Sequence, residues 1–350
     1  MLTRRKSKIV KIGNLAIGGA NSIAIQSMLN TSPYDIKASI EQAKQLKDAG
    51  CDIIRIAVPD LKSVQLIGKL KENVACPIVA DIHFDYNLAL ESINAGVDKI
   101  RINPGNIGSD DKVKIVANAA NNASIPIRIG VNSGSLEKDI LAKYGKVTAE
   151  ALCDSALYHA NLLLKHDFNN IVLSLKSSNV QMMTKAYKLI AEQCEFPLHL
   201  GVTEAGTEHM GIVKSSIGIG SLLLIGIGDT IRVSLTADPV KEIYAAKDIL
   251  SSLNIKNDGI DFVSCPTCGR TKINLIELAE KIESELKHCK KNIKVAVMGC
   301  VVNGPGEAKE ADIGIAGGDG CAVLFKKGQV IRKINEENIV SELISEIEKL

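Results

Sequence analysis

The sequence predicts a (β/α)8 TIM barrel over residues 1–253 followed by a smaller α+β domain over 254–350. Three observations carry this. Short β-rich apolar runs alternate with stretches of helical periodicity through the first part of the chain. Eight such runs fall within about 240 residues, the size and rhythm of an eightfold barrel. After a polar link closed by glycine, SSLNIKNDG (251–259), the character changes, and five of the nine cysteines lie beyond residue 260.

The elements follow in order. KIVKIGNLAIGG (8–19) reads as an opening hairpin whose expected place is a plug across the barrel bottom. The strands are SIAIQSM (22–28), DIIRIAV (52–58), PIVADIH (77–83), DKIRIN (98–103), PIRIGVN (126–132), NIVLSLK (170–176), PLHLGVT (197–203) and TIRVSL (230–235). Pro77, Pro126 and Pro197 open strands, where a missing N–H does least harm. Between them lie SIEQAKQLKDAG (39–50), NLALESINAG (87–96) and VKEIYAAKDIL (240–250), with apolar residues at three- and four-residue steps. GIG at 218–220 and GIGD at 226–229 do not match a dinucleotide fingerprint.

Composition removes several function classes. Lys+Arg 42 against Asp+Glu 40 leaves +2, which argues against nucleic acid or an anionic membrane as a bulk partner. With no Trp, 5 Phe and 6 Tyr there is little surface for stacking bases. The most apolar stretch, 217–228, is shorter than the roughly 20 residues a membrane span needs. The basic start MLTRRKSKIVKIGN is interrupted by Lys11 and Asn14, unlike a signal peptide, so a cytoplasmic protein is expected. An odd cysteine count in that setting means reduced thiols or metal ligands. Cys51, Cys76, Cys153 and Cys194, scattered among apolar neighbours, read as buried small hydrophobes.

The strands are unusual in where they place cations. Only 8 of the 42 basic residues are Arg, and four of these, Arg55, Arg101, Arg128 and Arg232, sit inside apolar strands. Residues two apart share a strand face. That parity groups Arg128 with Gly130 and Asn132, Arg101 with Asn103, Arg232 with Ser234, Ser174 with Lys176, His199 with Thr203, and Asp81 with His83. In a barrel this face looks inward, and its polar members fall late in each strand, toward the mouth where barrel enzymes keep their chemistry. Asp81 and Glu204 are the only acids in view against five cations, so the surplus calls for an anionic ligand. Arg suits phosphate because its planar fork donates two parallel hydrogen bonds. The turns NPGNIG (103–108) and GVNSGS (130–135) could add backbone N–H groups. His159, His166 and His288, in polar helix-like surroundings, are expected at the surface.

In the last ninety residues, Cys265-Pro-Thr-Cys268 precedes a strand-like run, KVAVMG (294–299), that delivers Cys300. A zinc ribbon needs a second close pair, which is absent; an iron–sulfur cluster accepts three Cys with an unusual fourth ligand. Glu307, Cys321, Cys289 and His288 are candidates for the fourth, with Cys321 favoured by spacing because thiolate is the usual ligand. Cys289, in KHCKK, otherwise reads as part of a solvated helix end.

Eight motifs together resemble the 4-hydroxy-3-methylbut-2-enyl diphosphate synthase family: QSM (26–28), VADIHFDY (79–86), DKIRINPGNIG (98–108), IRIGVNSGSLE (127–137), LHLGVTEAG (198–206), GIGDTIRVSL (226–235), CPTCGR (265–270) and VMGCVVNGPGEA (297–308). The resemblance implies reductive opening of 2-C-methyl-D-erythritol 2,4-cyclodiphosphate with loss of water, a [4Fe-4S] cluster, flavodoxin or ferredoxin as electron donor, and a homodimer in which one subunit's cluster domain covers the other's barrel. It implies that Cys265, Cys268, Cys300 and Glu307 hold the cluster, so that Glu307 replaces Cys321 as the fourth ligand. It places Arg55, Arg101, Arg128, Asn132, Lys176, Arg232 and Ser234 at the diphosphate-binding mouth, and Asp81 and His83 at polar mouth positions; Thr203, inward by parity with His199, is a further substrate-binding candidate. Glu204 matches an acid that serves proton transfer. A non-redox barrel acting on a phosphorylated substrate, with a structural zinc module, is the alternative. An electron carrier with no substrate of its own is a further one, and the inward cations argue against it.

Overall fold

An opening hairpin, β1 (Val10–Ile12) with β2 (Leu15–Ile17), precedes eight parallel strands. These are β3 (Ala24–Met28), β4 (Ile53–Ala57), β5 (Ile78–Asp81), β6 (Lys99–Ile102), β7 (Ile127–Asn132), β8 (Ile171–Lys176), β9 (His199–Leu200) and β10 (Thr230–Ile231). The structure, a computed structural model, describes residues 3–256, 259–286, 289, 291–301 and 309–350. It separates into two compact units, Met1–Ile249 and Leu250–Leu350.

In the first unit the strands pair in the order β8-β7-β6-β5-β4-β3-β10-β9. β8 returns to β9 through one bridge, Leu173 to Leu198, which nearly closes the ring. All eight expected strands are present, so the barrel expected from the sequence is the barrel observed. Strands buried on both faces read as Ile/Val runs, which is why they were visible. The hairpin is the expected plug. Val10, Ile12 and Ile17 pack with Ala24, Ile53, Val79 and Val172, residues at the beginnings of four barrel strands.

A device absent from the sequence reading fixes the strand register. Asp52, Asp98 and Asp229 each stand just before a strand, and each accepts a backbone N–H within one residue of the start of the neighbouring one: Ile25, Ile78 and Leu198, all at 2.8 Å. The three belong to a repeated Asp-x-Ile-Arg, ending in Arg55, Arg101 and Arg232. Asp229 also anchors the basic N-terminus, accepting from Arg4 at 3.0 Å and Ser7 at 2.8 Å. Arg5 donates to the Cys194 and Phe196 carbonyls. The cations that open the chain thus strap it to the barrel.

Helices follow the strands. They are α1 (Ile36–Asp48), α2 (Gln65–Asn73), α3 (Tyr86–Asn94), α4 (Asp110–Asn122), α5 (Lys138–Tyr144), α6 (Ala149–Leu164), α7 (Val180–Gln193), α8 (Glu208–Leu224) and α9 (Pro239–Ser252). α8 is continuous through Gly211 and Gly218.

The second unit is a five-stranded mixed sheet, β11 (Asp261–Ser264), β12 (Lys294–Met298), β13 (Ile313–Gly318), β14 (Cys321–Lys326) and β15 (Gln329–Asn335), paired in sequence order. β11, β12 and β13 are parallel; the rest are antiparallel. Helices α10 (Leu275–Leu286) and α11 (Ile339–Glu348) cover one face, with Leu275, Ile282, Leu343 and Ile347 packed on Val295, Val297, Ile315 and Leu324. Ala296 and Met298 point to the opposite face, as strand alternation requires.

Candidate active site

The inward face of the barrel can be counted upward from the plug. Two residues beyond Ala24, Ile53, Val79 and Val172 come Gln26, Arg55, Asp81 and Ser174. The neighbouring strands add Lys99 and Arg101, Arg128, His199, and Thr230 and Arg232. A polar layer therefore fills the barrel above an apolar floor.

Asp81 organises one side of it. Its carboxylate takes Arg55 at 2.6 Å from β4 and Arg101 at 3.3 Å from β6, with the ring of His83 at 3.3 Å. Burial alone would raise the Asp81 pKa, but the Arg55 charge, the His83 hydrogen bond and Arg101 outweigh it and hold the carboxyl well below the usual range. Arg101 also donates to the Gly130 carbonyl at 2.6 Å, and the Gly130 N–H donates to Asn103 at 3.0 Å. A Cβ at Gly130 would stand 2.5 Å from Arg101 Nε, so glycine there makes room for the guanidinium.

Arg232 is served by an acid the sequence reading missed. Glu242, buried on α9, lies 3.7 Å from Arg232 Nε and accepts from Ser27 at 2.9 Å and the Leu235 N–H at 3.0 Å. Glu204, expected to share the neutralising role with Asp81, is instead exposed and enters no ion pair among the described residues. Its backbone has φ +51°, a left-handed conformation that costs a residue with a Cβ about 1–2 kcal/mol.

Three cations have no carboxylate in ion-pair reach among the described residues: Lys99, Arg128 and Lys176. Arg128 is 1% exposed and Lys99 fully buried, and Arg128 Nε and Lys99 Nζ lack any hydrogen-bond partner. Burial pushes all three well below their ordinary pKa values, and neighbouring Arg charges add to it. His199 is driven down the same way, first by burial and then by Arg128 and Lys176, which keeps the ring neutral. The side chains of Gln26, Ser174 and His199 also carry buried polar atoms without partners. Such a set is costly to leave unsatisfied and fits an anion.

At the mouth a cavity of about 540 Å³ is lined by His83, Phe84, Arg101, Asn103, Asn106, Asn132, Ser135 and Leu136. Of the expected residues, His83, Arg101 and Asn132 are brought together here. Arg55, Asp81, Arg128, Lys176 and Arg232 occupy the inward face of their strands beside it. Thr203 and Ser234, half-buried, follow β9 and β10. The histidines depart from expectation. His159 is fully buried because a turn from elsewhere in the chain packs over it, and His166 is half-buried against Asp110 at 3.0 Å. His288 lies outside the described residues.

In the second unit, Cys265 and Cys300 follow the ends of neighbouring parallel strands, β11 and β12. The Gly299 N–H donates to Cys265 Sγ at 3.1 Å, and the Cys268 N–H to Thr271 Oγ1 at 3.2 Å. The backbone N–H of Arg270, ahead of its charge, lowers the pKa of exposed Cys268. Barrel thiols go the other way: burial pushes Cys76 up to about 11 and Cys153 up to about 12, so these remain inert. Cys194 is only half-buried. Thiols at converging strand ends, one already receiving an N–H, fit a sulfur-ligated cluster. Among the described residues no three metal-ligating side chains are close enough to hold an ion. Glu307, the fourth expected ligand, lies outside the described residues. Cys321 opens β14 opposite Gly318, at the sheet end where β12 finishes. Cys289 packs against the apolar core of this unit and not on a solvated helix end.

Comparison with known proteins agrees with both units. The GcpE TIM-barrel domain matches residues 7–247 and the GcpE protein C-terminal domain residues 261–349. The chain is similar to 4-hydroxy-3-methylbut-2-en-1-yl diphosphate synthase (flavodoxin) of Clostridium tetani, 56% identical over 349 residues and covering 100% of both chains. The protein of that name from Ruminiclostridium cellulolyticum is 57% identical, with 100% of this chain and 99% of that one covered. Among solved structures, dihydropteroate synthase from Stenotrophomonas maltophilia covers 71% of this chain and 98% of its own, with TM-score 0.52 and 13% identity, a likeness of fold alone. With both of its domains matched in order, the chain belongs to the GcpE family.

Proposed function

We propose that this protein reductively opens 2-C-methyl-D-erythritol 2,4-cyclodiphosphate, with loss of water, to 4-hydroxy-3-methylbut-2-en-1-yl diphosphate in isoprenoid biosynthesis. The observation that carries the reading is the barrel interior, where, among the described residues, Arg55, Lys99, Arg101, Arg128, Lys176 and Arg232 face only the carboxylates of Asp81 and Glu242. The cyclic substrate brings two ionised phosphates. Two electrons and one proton convert it to a linear diphosphate with three negative charges and one water. The cations that orient the substrate therefore also stabilise the added charge, more strongly in a site that excludes water.

The chain's residues divide the work. Arg101, Arg128, Lys176 and Arg232 hold the diphosphate, with Arg55 and Asp81 fixing the Arg101 side and Asn132, Ser234, Thr203 and His83 donating at the mouth. Glu204, on its strained turn, passes a proton to the departing C3 hydroxyl as the C2–O bond to phosphate breaks. Cys265, Cys268, Cys300 and Glu307 would hold a [4Fe-4S] cluster. When bound, that group supplies the electrons it receives from flavodoxin, the donor named for the relatives. We place the enzyme in the cytosol as a homodimer. No helix among the described residues is long and apolar enough to cross a membrane. Exposed Met210, Val213, Ile217 and Leu224 share one face of α8, a surface that suits a second copy.

Anaerobic purification, iron and sulfide analysis, and addition of the cyclic diphosphate to reduced protein test this. About four irons and four sulfides, with substrate-dependent oxidation, are expected. Zinc in their place would return the protein to a non-redox phosphate-binding barrel.

A further inference from the structure

Two turns form facing walls of the 540 Å³ cavity. One, after β6, carries Asn103 and Asn106; the other, after β7, carries Asn132, Ser135 and Leu136. Behind both walls lies His159, fully buried on α6 and not itself among the lining residues. Its Nδ1 accepts the Gly105 N–H at 3.1 Å, from between Asn103 and Asn106. An accepting Nδ1 puts the ring proton on Nε2, which donates to Glu137, the residue after Leu136. Glu137 is fixed in turn by Ser155, whose hydroxyl donates to it at 2.7 Å. Burial alone would raise the Glu137 pKa, but the hydrogen bonds from His159 and Ser155 outweigh it and bring it down to about 2, so the acceptor is a carboxylate. Gly105 is matched to this contact, since a Cβ there would stand 2.9 Å from His159 Cε1.

We infer that His159 is a positioning residue: its imidazole spans the two walls and sets the separation of the asparagines and Ser135 that receive the substrate. This rests on the substrate reading above. The Asn103 carbonyl and side chain tie the first wall locally, to Asn106 N at 2.8 Å and Gly130 N at 3.0 Å. The imidazole adds one hydrogen bond to each turn's own segment from a third element, to the Gly105 backbone N–H on one side and to the Glu137 carboxylate on the other.

The test uses reconstituted holoenzyme with the cyclic diphosphate. His159→Phe keeps an aromatic ring in place and removes both hydrogen bonds, and is expected to raise KM about tenfold while kcat falls less than about threefold. His159→Gln, whose amide N–H reaches the position of Nε2, restores the link to Glu137 and should recover part of the KM. An unchanged KM in His159→Phe, with only a lower Tm, overturns the inference. If that variant does not fold, Gly105→Ala and Glu137→Gln load the same clamp from either end. Normal KM in both would overturn it equally. Wild-type protein without turnover would count against the substrate reading instead, and the clamp is then scored on binding of inorganic pyrophosphate, where equal affinity in wild type and variants rejects it.

Discussion

Asp81 is shared by two guanidinium groups, and removing its charge exposes what it does. Asp81→Asn leaves Arg55 and Arg101 facing each other in a buried layer, and breaking a buried pair this way costs about 3–5 kcal/mol. Denaturant melts of the apo protein check this, and a loss under 1 kcal/mol would mean that water already screens the cluster. The pH dependence has a fixed sign. Asp81 and Glu137 are both depressed in the folded state, so their contribution is complete above the unfolded carboxylate range and is lost as pH falls through the folded values. For Glu137 that window runs from its ordinary 4.5 down to about 2. Acid melts should therefore show Tm flat above pH ~5 and falling below it. Glu204 separates chemistry from stability. Because its φ of +51° suits glycine, Glu204→Gly should fold within about 1 kcal/mol of wild type while turnover collapses. Retained turnover removes Glu204 from proton transfer.

At the scale of elements, the Asp-x-Ile-Arg repeat couples architecture to chemistry. The Asp pins a neighbouring strand and the Arg three residues later joins the polar layer. Asp229→Ala strips Arg4, Ser7 and the Leu198 N–H of their partner at once. A loss of about 3 kcal/mol or more is expected, read as a Tm drop of about 2–4 °C per kcal/mol. An unchanged Tm would show that the strap is dispensable. The barrel strands were legible because burial on two faces leaves Ile and Val in runs, and parity then put Arg101, Arg128 and Asn132 on one side. Glu242 was not, because it reaches Arg232 from a helix, where nothing in a helical period marks an inward acid. Lys99, two residues before Arg101 and so on the same strand face, is not singled out in the sequence because it stands at the start of its strand, away from the mouth. β13 was hidden by Gly314, Gly317 and Gly318, which erase the alternation of a strand. His159 was misjudged because its burial comes from a turn more than fifty residues away in sequence.

For the whole molecule, the exposed apolar face of α8 gives a test of assembly. Ile217 is 57% exposed, and Ile217→Lys should convert a dimer to a monomer in sedimentation without lowering Tm by more than about 2 °C. A wild type that sediments as a monomer rules the homodimer out. The surplus of cations reaches further. Arg128 and Arg55 act on both Lys99 and Lys176 in a buried layer, like charges that oppose folding and that a bound anion relieves. Substrate at a hundred times its dissociation constant adds about 2.7 kcal/mol to the folded state. In a cell, where degradation follows the transiently opened population, the idle enzyme would then be the one cleared first. Precursor supply would govern how many copies survive, and the pathway's flux would be written into the abundance of its own catalyst.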